Sequence, residues 1–60
     1  MSMIIDLFGE KILTRPLSEV KDAINTLPPS LREKKAYLLK EFATISGLVL
    51  GEQDYRDVNA

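Results

Sequence analysis

Residues 30–50, SLREKKAYLLKEFATISGLVL, carry the longest helical pattern in this 60-residue chain. Ser30 and Glu33 stand three residues apart at its start, the spacing of a capping box in which each side chain bonds the other residue's backbone amide. Two glycines near its carboxyl end offer the left-handed conformation in which helices commonly terminate. The sequence therefore predicts a helix over residues 31–50.

This helix is apolar on two sides. One line of residues alternates four and three apart, as in a coiled-coil seam with one lysine in it: Leu31, Lys35, Leu38, Phe42, Ile45 and Val49. A second line lies about 100° around the helix and comprises Ala36, Leu39, Ala43, Ser46 and Leu50. A helix with two apolar sides has two surfaces to pack against. We expect the rest of the chain to cover one side and a second copy of the chain to cover the other.

The segment before residue 16 predicts a β-hairpin over residues 3–15. Two apolar runs flank Gly9-Glu10, and glycine at the first central position is typical of a type II′ turn. Residues of the outer face are expected to be polar in a half-solvated hairpin. Here that face carries Ile4, Phe8 and Leu13, so we expect another surface to cover it.

A second amphipathic helix is predicted over residues 17–27, where apolar residues recur at helical spacing before Pro28. The expected fold is an α+β domain of ββαα order in residues 1–50, assembled as a symmetric homo-oligomer. Residues 51–60 are expected to form an acidic tail, with Tyr55 and Val58 as its apolar anchors. Deleting that tail is expected to leave the fold intact.

The surplus of apolar surface predicts the contacts of this oligomer. A chain of 60 residues buries only about 60% of the surface that it exposes when unfolded, so a partner subunit is a common source of additional stability. The residues predicted to contact a second copy or another protein are Ile4, Phe8, Leu13, Leu39, Ala43 and Leu50.

The chain lacks most of the residue types on which enzymatic catalysis commonly depends. The chain contains neither cysteine nor histidine, which excludes disulfides and removes the usual nitrogen and sulfur ligands of zinc, copper and iron. No serine or threonine has a histidine to activate it, and the three glycines do not form a phosphate-binding loop. We therefore expect a non-enzymatic protein with no catalytic residue, no cofactor and no metal.

The lengths of the apolar runs indicate where in the cell the protein is located. No apolar run approaches the roughly 20 residues that a membrane-spanning helix needs, and the first residues lack the basic start of a secretory signal. We expect a soluble, cytoplasmic protein that does not bind membranes.

Nucleic-acid binding is the alternative function. Two helices joined by a short connection superficially resemble a helix-turn-helix, and a strand followed by two helices in a dimer resembles ribbon-helix-helix repressors. Gly9-Glu10 closes the hairpin within one chain, and Pro28-Pro29 lacks the usual glycine turn, so both resemblances are partial. The net charge of −1 argues against a basic surface over the whole molecule. The basic residues of this alternative are Arg32, Lys34, Lys35 and Lys40.

The favoured interpretation is a small protein-interaction module, such as a regulator, inhibitor, adaptor or assembly factor, acting as a homodimer or higher oligomer. The alternative is a dimeric DNA-binding transcriptional regulator. Salt-sensitive retention on heparin would favour the alternative, because phosphate contacts weaken as salt rises.

Overall fold

A computed structural model describes residues 2–59 of the chain. Four α-helices follow one another: α1 (Met3–Phe8), α2 (Leu17–Asn25), α3 (Arg32–Ser46) and α4 (Glu52–Asn59). Two short 3-10 helices lie between them, at Glu10–Thr14 and Pro29–Leu31. Within residues 2–59 there is no β-strand, so the predicted α+β fold with an N-terminal hairpin is wrong, and the domain is helical throughout that range.

The hairpin prediction failed because its apolar runs also fit a helix. Ile4, Phe8 and Ile12 are four residues apart, and on α1 and the following 3-10 helix they all turn toward the core. Gly9 does adopt a positive φ, 84°, but it ends α1 by donating its amide to the Ile5 carbonyl at 2.7 Å. Gly9 is therefore a turn residue, as predicted, but it ends a helix and does not form a hairpin turn.

Helix α2 was predicted correctly, apart from its last two residues. Pro16 precedes it, and the Pro16 carbonyl accepts bonds from the amides of Glu19 and Val20. Val20 and Ile24, four residues apart, are fully buried. Thr26 closes the helix, where its hydroxyl donates to the Ala23 carbonyl at 2.6 Å.

Helix α3 begins and ends differently from its prediction. Ser30 lies inside the 3-10 helix Pro29–Leu31, and no side chain caps the start of α3, so the predicted capping box is not formed. At the other end Gly47 adopts the left-handed conformation with φ of 72°. The Leu48 amide then donates to the Ala43 carbonyl at 2.9 Å, the bond of a Schellman motif. Of the two glycines expected to end this helix, Gly47 is the one that does so.

Residues 51–59, the described part of the acidic segment, are not a tail outside the domain. They contain α4, which packs mainly against α3 and also against α2. Gly51 precedes α4 and donates its amide to the Asp54 carboxylate at 2.9 Å, so Asp54 caps the helix from its third position. Val58 is fully buried in the core, which corrects the expectation that the domain ends at residue 50.

One core joins all four α-helices and the first 3-10 helix. Its buried members are Ile4, Ile12, Val20, Ile24, Leu38, Leu39, Phe42 and Val58. Helix α3 lies at the centre, since α1, α2, α4 and the 3-10 helix Glu10–Thr14 all contact it. None of the helices in residues 2–59 has the length and apolar character required to cross a bilayer.

Candidate functional site

An open groove of about 540 Å³ lies between one exposed side of α3 and the amino end of α1. Positions 37, 40, 41, 44 and 45 of α3 recur three and four apart, so they share one side of the helix. The residues that line the groove are Ser2, Tyr37, Lys40, Glu41, Thr44 and Ile45.

Glu41 fixes the geometry of this groove. Its carboxylate accepts hydrogen bonds from the backbone amides of Ile4 at 2.7 Å and Met3 at 3.3 Å. These amides belong to the first turn of α1, which has no partner for them within the helix. Ser2, at the position before the helix, makes no side-chain cap, so Glu41, which lies 37 residues beyond Ile4, caps α1 instead. The amino end of α1 is thereby held against α3.

The walls of the groove are apolar and accessible. Tyr37 is 51% exposed and Ile45 is 48% exposed, although both are large apolar side chains that a small domain normally buries. Past the end of α3, Leu48 is also exposed and Val49 is 98% exposed. Exposed apolar side chains that line one concavity, as Tyr37 and Ile45 do, commonly mark an interaction site.

Polar groups at the groove complement the apolar walls. Lys40 is exposed, and its charge is available because the neighbouring carboxylate of Glu41 is engaged by the α1 amides. Thr44 turns its hydroxyl inward and donates to the Lys40 carbonyl at 2.9 Å. The Ser2 hydroxyl oxygen is buried and has no hydrogen-bond partner in the described part of the chain. This arrangement suits a ligand with an apolar body and a negatively charged group.

The four basic residues of the nucleic-acid hypothesis do not form one surface. Arg32, Lys34 and Lys40 are exposed, whereas Lys35 is buried with only 6% of its surface accessible. Lys40 lines the groove beside Tyr37, whereas Arg32 and Lys34 lie at the start of α3. Both line a second concavity of about 380 Å³ at the start of α3, together with Glu33 and residues 29–31.

The residues predicted as an oligomer interface lie within the monomer instead. Ile4, Leu39 and Ala43 are buried. Phe8, Leu13 and Leu50 are half-buried and pack against the core. The reason is that α1, the 3-10 helix Glu10–Thr14 and α4 all pack on α3, so one chain covers the central residues of both apolar lines, whereas Ile45 and Val49 stay exposed.

Sequence reasoning missed the two apolar side chains of the groove. Ile45 was assigned to the seam facing the core, but it lies close to the end of α3 and is exposed. Tyr37 belongs to neither apolar line of α3, and an aromatic residue outside both lines was the available signal. Lys40 was singled out, but for contact with nucleic acid.

A second polar cluster joins α2 to α4. Lys21 Nζ lies 2.5 Å from Asp54 Oδ1 and 2.9 Å from Asp57 Oδ2, and Asn25 donates its side-chain amide to the Asp57 carbonyl at 2.9 Å. The bond to Lys21, followed by the Gly51 amide, lowers the pKa of Asp54. Hydrogen bonds from Gln53 and then Lys21 lower the pKa of Asp57, while the two carboxylates, Asp54 first, raise the pKa of Lys21.

Comparison with known proteins adds no relative: no protein-family model, no curated protein and no solved structure matches this chain.

Proposed function

We propose that this chain is a small, non-enzymatic protein-interaction module that binds an apolar, acidic segment of another protein in the groove beside α3. The observation that carries the proposal is the exposure of Tyr37 and Ile45 on either side of Lys40. Large apolar side chains that flank a fixed concavity favour recognition of a short segment by side-chain insertion.

The charges of the groove favour an acidic partner. Lys40 is exposed, while the carboxylate of Glu41 is occupied by the amides of Met3 and Ile4. A carboxylate on the partner would meet the Lys40 ammonium at the edge of the apolar contact. Contacts of this kind contribute more to specificity and to the rate of association than to affinity, so the affinity is expected to depend mainly on Tyr37 and Ile45.

A library of displayed amphipathic helical peptides tests the proposal. The library is selected on the wild-type chain and counterselected on the Ile45→Ser variant. We expect the enriched peptides to share apolar residues three and four apart beside Asp or Glu. Replacing an anchor at the centre of an interface commonly costs about 1–2 kcal/mol, so Ile45→Ser is expected to weaken binding about tenfold.

Leu7 offers a matched control for this experiment. It is 51% exposed, close to the 48% of Ile45, but it lies on α1 and does not line the groove. Leu7→Ser is expected to bind the enriched peptides as the wild-type chain does. Equal binding by all three proteins, or enrichment of basic peptides, would contradict the proposal. Strong retention on heparin that falls steeply with salt would favour the nucleic-acid alternative instead.

A further inference from the structure

Helix α4 packs on α3 more extensively than any other element does, and it also packs on α2. Among its eight residues, Val58 is the only one that is buried, and Tyr55 packs partly against the core. The side-chain hydrogen bonds between α4 and the rest of the described chain run from Lys21 and Asn25 on α2 to Asp54 and Asp57. A helix this short is not stable alone in water, so α4 forms only when it packs on the surface of α2 and α3. We call this surface the seat.

The connection between α3 and α4 is apolar, and only Leu50 among its large side chains packs against the core. Residues 47–51 read GLVLG, and residues 48–51 adopt no regular structure. Val49 is 98% exposed and Leu48 is 44% exposed, so the linker of a folded monomer presents two large apolar side chains to water. A linker that connected α3 to α4 and had no other role would not need apolar residues at its most exposed position.

We infer that α4 exchanges between two copies of this chain, so that α4 of each copy occupies the seat on α2 and α3 of the other. The occupant is fixed by complementarity, because the seat already binds a helix of this sequence through Val58 and the Lys21 ion pairs. Exchange of an identical element forms a symmetric dimer with few new contacts. The new contact lies at the linkers, which would run past each other about the two-fold axis and bury Val49 and Leu48 together.

The linker is long enough for this exchange. Five extended residues span up to roughly 17 Å, while the molecule measures 24 × 22 × 18 Å along its principal axes. The linker can therefore reach a copy that lies against the carboxyl end of α3. Extension also requires Gly47 to leave its left-handed conformation, which glycine does without steric cost.

A pair of charge variants tests the exchange. The first variant is Lys21→Glu, and the second is Asp54→Asn with Asp57→Lys, in which the asparagine keeps an acceptor for the Gly51 amide. Within each variant, α2 and α4 carry like charges. In an exchanged heterodimer both seats become complementary: the glutamate at position 21 meets the lysine at position 57, and Lys21 meets the native Asp54 and Asp57.

Sedimentation equilibrium at about 100 µM protein reads out the result. We expect each variant alone to remain near 6.8 kDa and their equimolar mixture to double in mass. The three substitutions combined in one chain are the control, since they restore opposite charges within the monomer and are expected to restore its wild-type melting curve. A mixture that stays at the monomer mass would overturn the inference.

The groove beside α3 takes no part in the exchange, and therefore the failure of one proposal leaves the other standing.

Discussion

Glu41 caps the amino end of α1, a role that a serine or aspartate next to the helix commonly has. Its carboxylate reaches the amides of Met3 and Ile4 from a different helix, so the cap also fixes the position of α1 against α3. The side chain thus links the local structure of the N-terminal segment to the shape of the groove.

Replacing Glu41 with alanine is expected to destabilise the protein by about 1–2 kcal/mol, because two amides at the amino end of α1 lose their acceptor. Glutamine keeps one acceptor and is expected to have a smaller effect. Glu33, an exposed glutamate on the same helix, is the control, and Glu33→Ala should change stability by less than about 0.5 kcal/mol. Chemical denaturation monitored by circular dichroism measures all three. Equal stability of Glu41→Ala and the wild-type chain would exclude the cap.

The Lys21 cluster makes stability depend on pH. The pKa values of Asp54 and Asp57 are lowered in the folded state, so their contribution is complete above the pKa of an unfolded aspartate, about 3.9, and is lost as the pH falls through the folded values. The pKa of Lys21 is raised, and its contribution is lost only as the pH rises through that value.

Melting temperatures between pH 2 and pH 7 check this behaviour in the wild-type chain and in Lys21→Met. The wild-type melting temperature is expected to fall steeply below about pH 4, since protonation removes both ion pairs. The variant should show a shallower fall over the same range, because its carboxylates have lost the lysine that favours their charged form. Parallel curves would contradict the assignment.

At the level of the helices, some features could be read from the sequence and others could not. Helix α2 was predictable because its apolar spacing and flanking prolines agree, and α3 because its pattern is long. The N-terminal segment was not, since a short apolar run fits either a strand or a helix, and the deciding group, Glu41, lies far along the chain. Helix α4 is mostly polar, so nothing local distinguished it from a solvated tail.

Substitution of Gly47 tests whether its left-handed conformation ends α3. A side chain at its φ of 72° encounters the strain of the left-handed conformation, which is about 1–2 kcal/mol for residues other than glycine. Gly47→Ala is therefore expected to lower stability by roughly 1 kcal/mol. Gly51→Ala is the control, because Gly51 has no positive φ and a Cβ placed there meets no atom within 4 Å. Similar stabilities of the two variants would show that α3 ends in another way.

Removal of α4 tests its place in the core. Deleting residues 52–60 takes away the fully buried Val58 and uncovers the surfaces of α2 and α3 on which α4 packs. We expect the truncated chain to lose its cooperative thermal transition. Val58→Ala in the full chain should give a graded loss of about 1–2 kcal/mol. A truncated chain that melts as sharply as the full one would mean that α4 is dispensable.

For the whole molecule, the accessible surface indicates how completely one chain covers its own core. It amounts to 4114 Å², close to the roughly 4,000 Å² typical of a folded monomer of this mass. The sequence-based expectation that a second copy must cover α3 underestimated what α1 and α4 supply. Among residues 2–59, the large apolar side chains left exposed are therefore few: Leu7, Tyr37, Ile45, Leu48 and Val49.

The candidate site was the hardest feature to predict. The groove is formed by α3 and the amino end of α1 together. The predicted hairpin placed a strand where α1 lies, so the groove could not be foreseen. Tyr37 was visible as an aromatic residue outside both apolar lines, and Lys40 as a basic residue. Only the helical N-terminal segment and its cap by Glu41 bring these residues into one concave surface.

The most direct test of this account is amide chemical-shift mapping of the uniformly ¹⁵N-labelled chain with the helical peptide enriched on it. The central claim is that one helical core leaves the groove side of α3 open for a partner. It predicts that the largest shift changes fall at Ser2 and on the Tyr37–Ile45 side of α3, with α2 unchanged. Changes centred on α2 and α4, or spread evenly over the chain, would contradict it.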